Sequence, residues 1–517
     1  MWQSLSGACE TSLSLPYRGK SGLCDHGMRA RLAKRPPALA ERSYEPKRKK
    51  MVLERLLPGA PTTVWKIIAM EGMERFAYYG FRAILTLFFV RRLGMAESTA
   101  VSYFAFTSAL AYASPLLGAW LADERWGRFA TIAALGAVYC CGMVVLVAAA
   151  AATSTAGALG ALALVGLGTG GIKPCVSSFG ADQISTADDG DDDAVRGYFS
   201  VFYASINVGS VLSFVVTPVV RSSFGYAAAF SVPAALLALA LAVFASARKD
   251  YVVVPPKADG SVLGALARAL SSAPSDDPDV AALRSSFSVL AMLPVFWMLY
   301  DQQGSVWVVQ ASEMGTFGGR IQPEQLGVAN PVLILALLPL FERSLYPALA
   351  AARVPIRPPH RMVAGMVVAA LSFVVAAGVD LALQRGHELN ILWQLPQIFL
   401  ITVAEILVSI TGLEFSYTQA PRELRASVSA IFLLTTSVGD VMGGVLYAAA
   451  GERISRPTIL GLCAVAMLAN ALAFVRVARR HFAAPGDVRL RRAESDNLEM
   501  LPTVNALLGD DEEAAGA

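Results

Sequence analysis

The 517 residues are 55% hydrophobic and only 16% charged, with a mean hydropathy of +0.51. Soluble domains are about 25% charged, so this balance excludes a soluble globular fold, a disordered chain, a coiled coil and a disulfide-rich scaffold. The 43 basic and 40 acidic residues nearly cancel, to +3, and point to no nucleic-acid partner.

Residues 1–60 are polar and basic, hold no apolar core of signal-peptide length, and read as a cytoplasmic tail. A bilayer core about 30 Å thick needs about 20 apolar residues at a helical rise of about 1.5 Å. Such stretches fall at 62–90, 100–122, 129–151, 157–181, 198–220 and 223–246, which predicts a six-helix bundle over 61–246. The interval 247–285 is rich in proline and charge and reads as a cytoplasmic linker. Six more stretches, 286–312, 326–347, 362–384, 391–416, 425–450 and 456–476, predict a second bundle over 286–480, with a tail over 481–517. The predicted fold is an all-α polytopic membrane protein with 12 transmembrane helices in two six-helix bundles, the layout of a secondary transporter. If residue 60 is cytoplasmic, the inner loops and flanks carry sixteen Lys/Arg, among them Arg125, Arg128, Arg353 and Arg357. The outer loops carry seven, among them Arg221 and Arg456, which predicts both termini inside.

Ionisable groups inside the spans are the informative residues, because each costs about 2.5–3.5 kcal/mol on insertion scales. The first span carries Glu71, Glu74, Arg75 and Arg82 in EGMERFAYYGFRAIL. Glu71, Glu74 and Arg75 share one helix face by their spacing. Two acids beside one strong cation leave one under-compensated, as a proton carrier requires; a snorkelling interfacial cluster is the alternative. In the fourth span Gly166, Gly168 and Gly171 satisfy GxGxxG, but in a membrane-length segment such glycines serve close helix packing rather than a dinucleotide. Lys173 follows them with no local carboxylate, so its partner is expected from the first span. Asp301, Glu405, Glu414 and Asp440 are further intramembrane acids, accompanied by Asn207 and Asn330. On an ideal helix Glu405 and Glu414, nine residues apart, point in roughly opposite directions. The aromatics Tyr78, Tyr79, Tyr112, Trp297 and Trp307 suit packing or, beside the charges, a pocket. The six cysteines lack metal-ligand spacing, the four histidines lie outside the spans, and HExxH and GxSxG are absent, so neither a metal site nor an enzyme is expected.

Four segments together resemble the proton-coupled oligopeptide transporters, a branch of the major facilitator superfamily, and most closely its animal-type di- and tripeptide transporters. They are Glu71–Gly80 (ExxERFxxYG), Gly168–Gln183 (GTGGIKPCVSxFGADQ), Phe202–Ser210 (FYxxINxGS) and Phe296–Ser305 (FWxLxDQQGS). Glu405–Pro421 (EILVSITGLEFSYTQAP) is similar to the family again, and Gly118–Arg128 is similar to the superfamily's loop between spans two and three. The resemblance covers about residues 62–480 and implies the major facilitator fold.

It implies roles as well. Glu71, Glu74, Arg75 and Lys173 would couple to the proton, and Arg82 with Lys173 would bind the peptide carboxylate. Glu414 with Asn207 and Asn330 would bind the ammonium end, while Tyr78, Tyr112 and Trp297 would line side-chain pockets. The substrates would be di- and tripeptides with protons as coupling ions, with no cofactor, metal or obligate protein partner, in the plasma membrane. The chain departs from the family in three places. Ala105 stands where animal members carry a histidine, only Gln384–Asn390 joins spans nine and ten, and the gate acid Glu342 would face Ser285, with Arg284 one place off. Rival readings are a transporter of nitrate, histidine or another small solute, against which Glu414 argues, and a nutrient receptor without transport, against which the intact coupling residues argue.

Overall fold

The structure is a computed structural model that describes residues 57, 60–185, 192–256, 287–354, 357–413, 415 and 425–482. Among them the chain is almost wholly helical. The spanning helices are α1 (Thr62–Leu87), α2 (Glu97–Trp120), α3 (Gly127–Ala152) and α4 (Thr155–Ser185). The run Asp192–Ser246 holds both α5 and α6, broken at Gly225, whose φ of 85° a side chain would strain. Then α7 runs as Leu293–Tyr300, a 3-10 turn Asp301–Gly304, and Val306–Ser312. α8 begins at Ala329–Leu340 and ends at Tyr346–Ala351; α9 is Pro358–Gln384 and α10 is Leu395–Glu405. α11 (Arg425–Ala450) and α12 (Arg456–Phe482) complete the set.

Nine stretches among the described residues are long and apolar enough to cross a membrane, and one of these, Gly197–Ser246, spans α5 and α6 together. α1 falls short on composition because it carries Lys66, Glu71, Glu74, Arg75 and Arg82, and α7 because its turn at Asp301 divides it. With those two the count reaches the twelve spans of the major facilitator fold. The linker beyond Pro256 and the tail after Phe482 lie outside the described residues, as do Arg284 and Glu414.

One apolar core is built from α1–α6, around Phe81, Phe88, Tyr139, Phe179 and Phe244, and another from α7–α12, around Phe296, Phe373, Ile401, Phe432 and Phe474. The glycines of α4 act as packing surfaces: a side chain at Gly168 would strike the backbone of Tyr139 on α3, and one at Gly170 the Ala111 carbonyl on α2. Gly118 of α2 lies directly on the Gly171 carbonyl. These approaches bring α4 tightly between α2 and α3.

The two bundles meet where α2 packs on α11. Ser437 donates to the Ala109 carbonyl at 2.8 Å, Phe106 lies over Gly444, and Val101 of α2 belongs to the second core. Ion pairs lock the end opposite the described chain termini, here the distal end. Arg221 at the end of α5 holds Glu324 at 2.7 Å, and Arg456 reaches Asp380 at 2.7 Å, Glu313 at 2.5 Å and Glu97 at 3.1 Å. At the opposite end Arg128 and Asp182, both within the first bundle, pair at 2.6 Å.

Candidate functional site

α1 brings its charges to the bundle interior, where Glu71, Glu74 and Arg75 are 4%, 1% and 3% exposed; this burial removes the snorkelling alternative. Arg75 Nε meets Glu71 Oε1 at 2.9 Å, and a second guanidinium nitrogen pairs with Glu74. Thr169 of α4 donates to Glu74 Oε1 at 2.9 Å. The two acids therefore differ: Glu74 holds a neutral donor in addition to Arg75. Gly209 of α5 rests on the Gly72 carbonyl, which lets α5 close over this face.

Lys173 lies one helical turn beyond Thr169 and is 4% exposed. The sequence predicted an ionic partner on the first span, yet no ion pair with Glu71 or Glu74 forms within 4.0 Å. Its ammonium sits instead between two rings, 4.5 Å from the centroid of Tyr78 and 4.3 Å from that of Tyr112. Cation–π attraction from two faces holds a buried ammonium without neutralising it. Its charge thus remains available to an anion.

Arg82 spans the bundle interface to Asp301 on the α7 turn at 2.6 Å, with its guanidinium 4.9 Å from the Phe104 ring. Beside it Thr86 donates to the Gly304 carbonyl at 2.9 Å. Tyr78, Arg82, Phe104 and Thr169 line one small cleft within the first bundle. Any anion reaching Arg82 has to compete with Asp301.

The second bundle contributes an acidic side. Asn330 Nδ2 donates to Glu405 Oε2 at 2.8 Å and to Thr402 Oγ1 at 3.1 Å. Glu405 is 1% exposed, and the Tyr300 hydroxyl bonds to it. Tyr79 of α1 is close enough to Arg75, Arg82 and Glu405 to feel the charge of each, so the acid lies near the first bundle. Asn207 is buried and donates back to the Tyr203 carbonyl of its own helix at 2.9 Å. Trp297 is buried and donates to Thr435 at 3.1 Å, in α11. Glu342 is half-buried on a π-helical turn, Phe341–Leu345. Its predicted partner Arg284 is not among the described residues, so the gate pair has no described geometry, and neither does Glu414.

Sequence reasoning passed over three partners: Asp301 for Arg82, Glu405 for Asn330 and Thr169 for Glu74. The first two were visible as intramembrane acids, but their partners lie far away in the chain. Thr169 carried a signal, since it stands four residues before Lys173 and so on the same face of α4. The opposed directions expected for Glu405 and Glu414 assumed a uniform helix, whereas a π-turn at Ile406–Ile410 follows Glu405.

Two helical bundles joined along α2 and α11, with buried charges in α1, α4, α7 and α10, define a polytopic membrane protein of the major facilitator fold. The chain belongs to the POT family, whose model matches residues 129–276 and 263–456, and a Major Facilitator Superfamily model matches residues 27–190. Solute carrier family 15 member 2 of Danio rerio is 38% identical over 361 residues, covering 62% of this chain and 50% of the relative. Peptide transporter family 1 of Drosophila melanogaster is 36% identical over 364 residues, covering 63% and 48%. The chain thus spans about half the length of the curated relatives it matches. Among solved structures, an auto-inhibited POT family peptide transporter is 28% identical with a TM-score of 0.75, over 81% of this chain and 97% of that one. A POT family transporter crystallised in meso is 27% identical with a TM-score of 0.74, over 82% and 99%.

Proposed function

We propose that the protein is a proton-coupled symporter that imports di- and tripeptides, and peptide-like compounds, across a membrane by alternating access. One observation carries the reading: the interior presents a cationic side in the first bundle and an acidic side in the second. Lys173 is buried without an ionic partner among the described residues, while Glu405 and Asn330 form the opposing polar face. A zwitterionic peptide needs both poles, and charge-assisted contacts at its termini leave the side chains free to vary. Nitrate or another small anion has no use for the acidic side. Lys173, with Arg82 once released from Asp301, takes the peptide carboxylate. Glu414, assisted by Asn207 and Asn330, takes the ammonium, and Tyr78, Tyr112 and Trp297 shape the walls.

Glu71 and Glu74 carry the proton, held against Arg75. The distal pairs that cross between the bundles, Arg221–Glu324 and Arg456–Glu97, support a state closed at that end, from which substrate is exchanged at the opposite end. The membrane is the plasma membrane with both termini cytoplasmic, and neither a cofactor nor a protein partner takes part. The names of the relatives, which speak of peptide transport, agree with this reading. The test is uptake into proteoliposomes under an inward proton gradient, comparing a labelled dipeptide with nitrate and with free histidine. Dipeptide accumulation alone is expected; accumulation of nitrate or histidine without dipeptide would overturn the proposal.

A further inference from the structure

A carboxamide is two-faced: its nitrogen donates and its oxygen accepts. The end that Asn330 offers therefore decides whether it suits the ammonium or the carboxylate of a peptide. Asn330 is the second residue of α8 and is half-buried. Its Nδ2 donates to Glu405 Oε2 at 2.8 Å and to Thr402 Oγ1 at 3.1 Å. Thr402 and Glu405 are three residues apart on α10, so both acceptors lie on one helix face. They are 0% and 1% exposed.

The chemistry of the two acceptors forces the nitrogen to their side. An ionised carboxylate only accepts. The Thr402 hydroxyl has spent its single hydrogen on the Ile398 carbonyl at 2.7 Å, so toward α8 it has lone pairs alone. Thr402 therefore imposes the same orientation whatever the charge of Glu405. Both hydrogens of the amide are used in this way. They are the side-chain hydrogen bonds of Asn330 among the described residues, which leaves Oδ1 as the end it can offer.

We propose that Glu405 and Thr402 are positioning residues that fix the polarity of Asn330. They turn its carbonyl oxygen, rather than its NH2 group, to the ligand. The pole then accepts a donor such as a primary ammonium and presents only lone pairs to a carboxylate. A freely turning amide would serve either terminus of a peptide; a held one fixes which way round the peptide lies, with its ammonium toward the second bundle. Glu405 acts through Asn330 and does not itself contact the ligand. The selectivity for an amine rests on the peptide site proposed above; the orientation of the amide does not.

The two parts are tested separately. The full chain in lipid nanodiscs, without substrate, carries 15N-labelled asparagine, and the Asn330 NH2 resonances are identified by their loss in Asn330→Ala. Glu405→Met and the isosteric Thr402→Val are each expected to speed hydrogen exchange of that NH2 group by about fivefold or more. Exchange as fast in wild type as in both variants overturns the held amide. For selectivity, competition against a labelled dipeptide compares a free dipeptide with its desamino analogue, which lacks the amine. The advantage of the free dipeptide is expected to fall about tenfold in Glu405→Met and about fivefold in Thr402→Val. In an Asn330→Ala background, Glu405→Met is expected to change that advantage by less than about twofold, because the group it positions is gone. Losses that multiply in the double variant would place Glu405 on the ammonium itself and overturn the positioning role, as would an unchanged advantage in both single variants. If the wild type binds no dipeptide at all, the proposed function fails, and the exchange arm still decides the orientation.

Discussion

Removing the Lys173 charge separates carboxylate recognition from coupling. The ammonium is buried against two rings and forms no ion pair within 4.0 Å among the described residues, so its charge is not neutralised by a carboxylate there. Losing one member of a buried, hydrogen-bonded charge pair costs about 2–5 kcal/mol. The ammonium gives up part of its ring attraction, about 2 kcal/mol when desolvated, as it turns to the carboxylate, so the lower end of that range applies. At about 1.4 kcal/mol per tenfold, Lys173→Ala is expected to weaken a free dipeptide about 30-fold. The C-terminal amide of the same dipeptide, which lacks the recognised charge, is expected to lose less than about threefold. Lys173→Arg keeps the charge and stacks on the same tyrosines, so it should recover most of the affinity. Competition against a labelled dipeptide in proteoliposomes, at fixed pH and without a gradient, reads all three. Equal losses for acid and amide would refute the reasoning and assign Lys173 to coupling alone.

Other consequences follow from the same contacts. Glu71→Gln and Glu74→Gln should each abolish gradient-driven dipeptide accumulation while sparing counterflow of labelled dipeptide; intact accumulation in both would remove the proton from this cluster. Arg221→Ala leaves Glu324 buried without its cation, a loss of about 3–5 kcal/mol in the distal-closed state. Spin labels across the distal end should then report a wider separation than in wild type, and an unchanged distance would show that this pair does not hold the bundles together. Gly118→Leu drives a side chain into the Gly171 carbonyl, and overpacking of this kind costs about 1–3 kcal/mol. Thermal unfolding in detergent should begin at a lower temperature, and an unchanged Tm would contradict the close α2–α4 contact. Glu414→Gln should weaken free dipeptides strongly and N-acetylated ones little; equal binding of the free dipeptide by the variant and wild type would remove Glu414 from the ammonium pole.

The fold was legible because membrane insertion makes apolar length and stray charge costly, so both stand out in a single sequence. The α11 boundaries, 425–450, agree with the apolar stretch. The α4 glycines, read as packing surfaces, sit against α2 and α3 as expected. Less visible were the irregular turns. Hydropathy is indifferent to whether an apolar run is α or π, so the π segments Phe88–Arg92, Leu121–Arg125, Phe341–Leu345 and Ile406–Ile410 left no trace in it. The division of α7 at Asp301 was hidden in the same way, since apolar residues flank the turn on both sides.

For the site, spacing along α1 correctly grouped Glu71, Glu74 and Arg75, because i,i+3 and i,i+4 neighbours are a local property. Partnerships across helices were not local. Arg82 could be singled out as a buried charge, but its attachment to Asp301 depends on how the bundles dock. Lys173 was expected beside an acid and found between Tyr78 and Tyr112, because rings supply a cation with stabilisation that a count of charges does not register.

The central claim, that peptide and proton cross together, is tested most directly by internal acidification of liposomes loaded with a pH-sensitive dye. No proton gradient is imposed, and a dipeptide is added outside with the membrane potential clamped. The account predicts acidification of the lumen on addition of dipeptide, absent with nitrate and abolished in the double variant Glu71→Gln, Glu74→Gln. Dipeptide entry at the wild-type rate with no change in internal pH would contradict it.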